Sequence, residues 1–150
     1  MPFITIITPT LQRDSLKITC SSIDGQSFQD WQHIIMADCP ESEWNKDIAP
    51  PDERRESMCC GVHHSNGGNS CRRAAWMHAK GDYVFYCDDD NYLGDSEALM
   101  RIHDVLQAEN LPQVAFFPIM RLGGRFFPEG TPRMCHVDTA NLVVAREIGQ

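Results

Sequence analysis

Three consecutive carboxylates, Asp88, Asp89 and Asp90, follow directly on the segment DYVFYC (82–87). Side by side they repel one another, and no core buries three unpaired charges. A hard divalent cation, Mn2+ or Mg2+, makes such a cluster useful, because these ions prefer oxygen ligands and take only one or two from protein when phosphates supply others. One carboxylate then holds the ion, another accepts a hydrogen bond from a ribose hydroxyl, and the ion neutralises a diphosphate. The plain alternative is a solvated acidic turn. A second acid, Asp38, ends the run WQHIIMAD (31–38), and Thr8-Pro9-Thr10 ends the run FITIITPT. Arg72 and Arg73 open a helical segment behind Gly67-Gly68; they suit a diphosphate, or equally a solvated helix face.

A further cluster, CCGVHHSNGGNSC (59–71), contains Cys59, Cys60, His63, His64 and Cys71. Zinc accepts such ligands. The spacing C-C-x-x-H-H is not that of a finger or ribbon, and adjacent ligands chelate one ion poorly, so the segment reads as a reduced strand and loop. Trp31, Trp44 and Trp76 read as packing residues, with Trp44 the best placed of the three to meet a sugar.

The elements that must position these residues follow from pattern. FITIITPT (3–10) is nearly continuous apolar and β-branched, as in a central parallel strand buried on both faces. In RDSLKITCSSIDG, Leu16, Cys20 and Ile23 share one helical face, with Asp14 or Ser15 as cap and Gly25 as stop. WQHIIMAD is a second strand; residues 39–56, with Pro40, Pro50 and Pro51, form a long loop; ESMCCGV is a short third strand. Asn69 or Ser70 caps a helix running to Gly81. The strand at 82–87 delivers the aspartates. A helix starting near Asp95 or Ser96 turns Ala98, Ile102 and Val105 inward. QVAFFPIM (113–120) is a strand, RLGGRFFPEG a hairpin or loop, and NLVVAR (141–146) a last strand. Strands alternate with helices, so the fold class is α/β, a mostly parallel sheet with helices on both faces. Ligands in such sheets bind beyond the carboxyl ends of the strands, where Thr8–Thr10, Asp38 and Asp88–Asp90 converge.

At 150 residues the chain makes a single domain. Its formal charge of −8 argues against a nucleic-acid partner. No apolar run reaches the ~20 residues of a membrane span. No basic-then-apolar leader is seen, and the seven cysteines read as reduced thiols, so the expected location is cytoplasmic.

Several segments, in order, resemble the family 2 glycosyltransferases of the GT-A fold: ITIITPTLQR, SSIDGQSFQDWQHIIMAD and NGGNSCRRAAWMHAKGDYVFYCDDDNYL, with CHVDTANLVVAR similar to a later acidic strand. The resemblance implies a Rossmann-like domain with the donor half at about 1–93 and a partial acceptor half at about 94–150. It implies transfer of a sugar from a nucleoside-diphosphate sugar, UDP-linked by preference, to a hydroxyl of a glycan, lipid or small molecule, with inversion. Thr8, Pro9 and Thr10 would line the nucleotide pocket and Asp38 would take the base or a ribose hydroxyl, although the family commonly has two acids where this chain has Asp38 alone. Arg72 would sit near the nucleotide, Asp88 and Asp89 would face the ribose and donor, and Asp90 with Asp88 would hold the metal. Asp138 is the candidate for the base that deprotonates the acceptor. In the family that base usually lies further along, so the expectation is a natural short form, a fragment of a longer enzyme, or a chain in which Asp138 has taken a larger part. The alternative is a silent nucleotide-sugar binding module. A nucleotidyltransferase is more distant, because TPTLQRDS lacks the expected glycines.

Overall fold

The computed structural model describes residues 1–117, 119–121, 125–127 and 142–149. The elements are β1 (Ile4–Thr10), α1 (Leu16–Asp24), β2 (Trp31–Ala37), β3 (Arg55–Cys59), α2 (Asn69–Trp76), β4 (Tyr83–Tyr86), α3 (Ala98–Ala108), β5 (Val114–Phe116), β6 (Ile119–Arg121), β7 (Arg125–Phe127) and β8 (Leu142–Ala145). Six strands form one sheet in the order β3-β2-β1-β4-β8-β5. β1 to β4 are parallel, and β8 runs antiparallel to both β4 and β5. β6 and β7 pair antiparallel as a separate ribbon, as a hairpin requires. The expected single strand over 113–120 is therefore two, β5 and β6, with Pro118, which has no amide to donate, between them.

All seven residues of β1 and of β2 are buried, which is why both read as unbroken apolar runs. The two sheet faces carry different helices. Ile4, Ile6 and Phe85 pack with Ile23 of α1 and Leu99, Ile102 and Leu106 of α3. Ile7, Ile34, Met36 and Val84 pack with Cys71 and Ala75 of α2 on the opposite face. Leu16, Cys20 and Ile23 are fully buried, as their spacing predicts. The inward face of α3 is shifted by one position: Leu99, Ile102 and Leu106 are buried, and Val105 is 44% exposed. Two leucines bury more apolar surface than an alanine and a valine.

The helix boundaries are set by sheet residues and loops more than by the expected caps. Asn66 Oδ1 accepts the Ser70 amide, and Gly68, not Asn69 or Ser70, occupies the cap position. α3 starts after Glu97, whose amide goes to Asp95 Oδ1, while buried Gln26 accepts the Leu99 amide. α2 stops at Trp76, short of Gly81. Residues 77–79 tighten into i to i−3 bonds, and the next two amides are captured from the sheet: Lys80 by Gln32 Oε1 and Gly81 by Thr5 Oγ1. A Cβ at Gly81 would lie 2.5 Å from the Thr5 nitrogen, so only glycine allows that approach.

A buried polar chain crosses the sheet face beneath the rim. Arg55 donates from Nε to His33 Nδ1 at 3.0 Å and reaches Pro50 O and Asp24. Because Nδ1 accepts, the neutral ring carries its proton on Nε2 and donates to Thr8 Oγ1 at 2.9 Å. Burial and the Arg55 charge push His33 down to about 3. The unfolded ring takes up a proton near pH 6.5 and the folded ring does not, so stability falls as pH drops from 6.5 toward 3. This site alone is expected to cost about 2 kcal/mol between pH 8 and pH 5. Urea midpoints at the two pH values check it: the loss should shrink by about that amount in His33→Gln, and an equal loss in both proteins would refute it.

The six described cysteines are free thiols. Burial raises Cys20, Cys39, Cys60 and Cys71, and pushes Cys87 up to about 12. Thiols so placed are poor nucleophiles. Among the described residues, no helix is long and apolar enough to cross a membrane.

Candidate active site

The carboxyl ends of β1, β2, β3 and β4 form one rim, and Thr8–Thr10, Asp38, Arg72 and Asp88–Asp90 lie along it. After β4 the chain turns, with the Asn91 amide bonded to Asp88 O at 2.9 Å. Thr19 and Ser22 of α1 fasten the next stretch through Asn91 O and the Leu93 amide. The three acids of this turn are not equivalent.

Asp88 accepts from Arg72 Nη2 at 2.5 Å. Asp89 points inward and is 4% exposed. It accepts from Thr10 Oγ1 at 2.7 Å, the Leu11 amide at 3.1 Å and Arg13 Nη1 at 3.2 Å. Its carboxylate thus ties the end of β1 to the end of β4. Asp90 has a side chain 61% exposed and meets the same Arg13 nitrogen at 3.2 Å. Arg13 therefore lies between two carboxylates, a cation already seated at the acidic turn.

Arg13 was not singled out from sequence. The signal was its place three residues past Thr10, on a chain already expected to reach the rim. Its position is built locally. Gln12 takes a left-handed φ of +62°, its amide bonds Thr10 Oγ1, and its side chain grips Glu43 O and the Asn45 amide. That fold-back turns residue 13 toward the acids.

Arg72 is held almost as firmly. Nη1 donates to Gly67 O at 2.7 Å, and the buried Nε has no partner among the described residues. Gly68 adopts φ +79°, and a Cβ there would stand 2.9 Å from Pro9 Cβ. Glycine thus lets the loop lie against the Pro9 turn and hand Arg72 to Asp88.

Asp38 is 4% exposed, and its two oxygens accept the His64 and Ser65 amides at 2.7 and 2.9 Å. His63 bonds Asp38 O and Glu43. The carboxylate therefore folds the 61–68 loop back over the end of β2. Thr8 is wholly buried with its hydroxyl on His33, and Thr10 is engaged by Asp89 and Gln12, so these residues shape the rim from beneath. Trp31 is buried under Arg54, and Trp76 packs near Tyr86. Lys46 lies over the Trp44 ring. Asp138 lies outside the described residues.

A mostly parallel sheet flanked on both faces, with an acidic turn after its fourth strand and an arginine helix beside it, defines a GT-A domain. Residues 5–133 match the family described as glycosyl transferase family 2, and the chain belongs to that family. The Staphylococcus aureus TarS 1-349 structure superposes with a TM-score of 0.75 at 15% identity, covering 97% of this chain and 48% of that one. The same TarS fragment in complex with UDP-GlcNAc gives a TM-score of 0.76 at 15% identity, covering 99% and 46%. The mannosyltransferase PcManGT of Pyrobaculum calidifontis, in complex with GDP-Man and Mn2+, gives 0.60 at 16% identity, covering 80% and 36%. This chain spans about half the length of the TarS fragment. No curated protein matches the sequence.

Proposed function

We propose that this chain binds a nucleoside-diphosphate sugar, UDP-linked by preference, on the rim and takes part in its transfer to a hydroxyl acceptor with inversion. The observation that carries this reading is the meeting of Asp88, Asp90, Arg13 and Arg72 at one strand end, opposite Asp38. Family membership and the donor complexes of TarS and PcManGT support it.

The residues present suit Mn2+ or Mg2+. Asp90 is open to solvent, Asp88 lies beside it, and Arg13 shows that a positive charge is accommodated at the turn. When bound, such an ion neutralises the leaving diphosphate. Asp90 and Asp88 would hold it. Arg13, released from Asp89 and Asp90, turns its guanidinium to a phosphate oxygen, for which its planar fork is suited. Arg72 keeps Asp88 oriented. Asp38 takes the base or ribose while its amide bonds keep the loop closed. The acceptor hydroxyl attacks the anomeric carbon from the side opposite the diphosphate and gives its proton to a base, for which Asp138 is the candidate.

Arg13→Met separates these roles. Without nucleotide it should tighten Mn2+ roughly fivefold, the worth of an exposed ion pair near 1 kcal/mol. With Mn2+ saturating, it should weaken UDP. Titration followed by the paramagnetic resonance of free Mn2+ checks the first effect; unchanged affinity would show that Arg13 does not compete with the ion.

The test of the function is release of UDP from UDP-GlcNAc, or GDP from GDP-Man, with Mn2+ and a panel of hydroxyl acceptors. Release that depends on Mn2+ and is accompanied by a glycosylated acceptor supports transfer. Donor binding without release supports the silent binding module.

A further inference from the structure

We propose that Asp38, Cys60 and His64 form a second cation site, selective for a thiophilic divalent ion such as Zn2+, at the β2–β3 end of the rim. The objection raised by the sequence, that C-C-x-x-H-H places ligands too close together, disappears in the fold. The structure draws one cysteine and one histidine from the cluster, four positions apart, and adds a carboxylate from the end of another strand. One oxygen of Asp38, Cys60 Sγ and one ring nitrogen of His64 all lie within 4.8 Å of one another.

A tetrahedral zinc ion with bonds of about 2.0–2.3 Å holds its oxygen, nitrogen and sulfur ligands roughly 3.4–3.6 Å apart. The three groups need to close by no more than about 1.4 Å. His64 is exposed and its ring has no partner among the described residues, so it can turn without breaking a bond. His63, by contrast, is engaged with Asp38 O and Glu43, and is not a member of the set. Gly61, at φ +79°, makes the turn that brings residue 64 back over residue 60.

The surroundings suit ligation as well. Each Asp38 oxygen accepts one amide and keeps a second lone-pair direction for a metal. Cys60 Sγ lies 3.3 Å from the Sγ of buried Cys71. When zinc displaces the Cys60 proton to solvent, the Cys71 S–H can turn and donate to the resulting thiolate. Outer hydrogen bonds of this kind orient and stabilise metal ligands. Three protein ligands leave a fourth position for water. The set Cys/His/Asp favours zinc, whereas the oxygen-only turn at Asp88–Asp90 favours Mn2+ or Mg2+. The two sites thus differ in the ion they select.

One consequence rests on the reading of Asp38 as the base's partner: an ion on Asp38 and the base of a nucleotide exclude each other, and zinc then inhibits donor binding.

The probe is Co2+, with the chain reduced by a phosphine and stripped of metal. Thiolate ligation gives an intense ultraviolet charge-transfer band that oxygen sites lack. The expected result is one such band per chain, abolished by Zn2+, lost in Cys60→Ser and retained in Cys59→Ser and Asp90→Asn. His64→Ala, at an exposed position that cannot damage the core, should weaken Zn2+ about a hundredfold or more against a chromophoric chelator. No band in the parent protein, a band retained in Cys60→Ser, or unchanged Zn2+ affinity in His64→Ala overturns the proposal. UDP titrations in saturating Mn2+, with and without Zn2+, form the second arm. Weaker UDP binding supports exclusion; if Zn2+ binds and UDP affinity is unchanged, the cation site stands and the base-reading role of Asp38 falls.

Discussion

Asp90→Asn is expected to lower Mn2+-supported affinity for a nucleoside diphosphate by about a hundredfold or more, with the fold intact. The loss follows from removing a ligand, which costs at least as much as the 10–100-fold typical of outer partners. The intact fold follows from exposure. The Asp90 side chain is 61% exposed, and its one described ion pair is with a half-exposed Arg13. Exposed pairs of this kind contribute about 0–1 kcal/mol. Thermal unfolding of the variant should therefore stay close to the parent. Calorimetric titration of UDP with Mn2+ reads the first effect. Parent-like affinity would remove Asp90 from the cation site.

Asp89→Asn is expected to do the opposite: to damage the fold before any binding is lost. Asp89 accepts from a hydroxyl, an amide and a guanidinium in a nearly sealed position. Asparagine offers one oxygen in place of two and turns an amide nitrogen toward donors. Hydrogen bonds to charged groups contribute about 1.5–3 kcal/mol each, so a loss of about 3 kcal/mol follows. For a chain of this size that is roughly a 10 °C fall in Tm. Calorimetric melting checks it. A Tm within about 2 °C of the parent, corresponding to about 0.5–1 kcal/mol, would show that the acid is not structural. The two substitutions are the same chemical change one residue apart, so the contrast isolates burial as the cause.

That contrast marks the limit of what the primary structure discloses. The acidic turn, the strands feeding it and the convergence on one rim were legible, because β1 and β2 are buried on both faces and leave unbroken apolar runs. Which acid faces inward was not, because it depends on Thr10 and Leu11 arriving from another strand. The early end of α2 was hidden for a similar reason: Gln32 and Thr5, distant in sequence, take the amides that a longer helix would have used. The antiparallel β8 could be read as a strand, but its direction depends on chain connection, which local pattern does not encode. Arg13 carries no local signal, because its partners lie 76 and 77 positions away. In sequence the Cys/His cluster presents adjacent pairs, whereas the fold brings Cys60 and His64 together with Asp38.

The central claim is that the rim beyond β1, β2 and β4 binds a nucleoside diphosphate through a cation held by Asp88 and Asp90. Calorimetric titration of the chain with UDP, in Mn2+ and then with EDTA in excess, tests it most directly. The account predicts one site whose affinity falls by about a hundredfold or more with EDTA and returns when Mn2+ or Mg2+ is restored. Tight binding indifferent to EDTA, or no binding of either UDP or GDP in Mn2+, would contradict it.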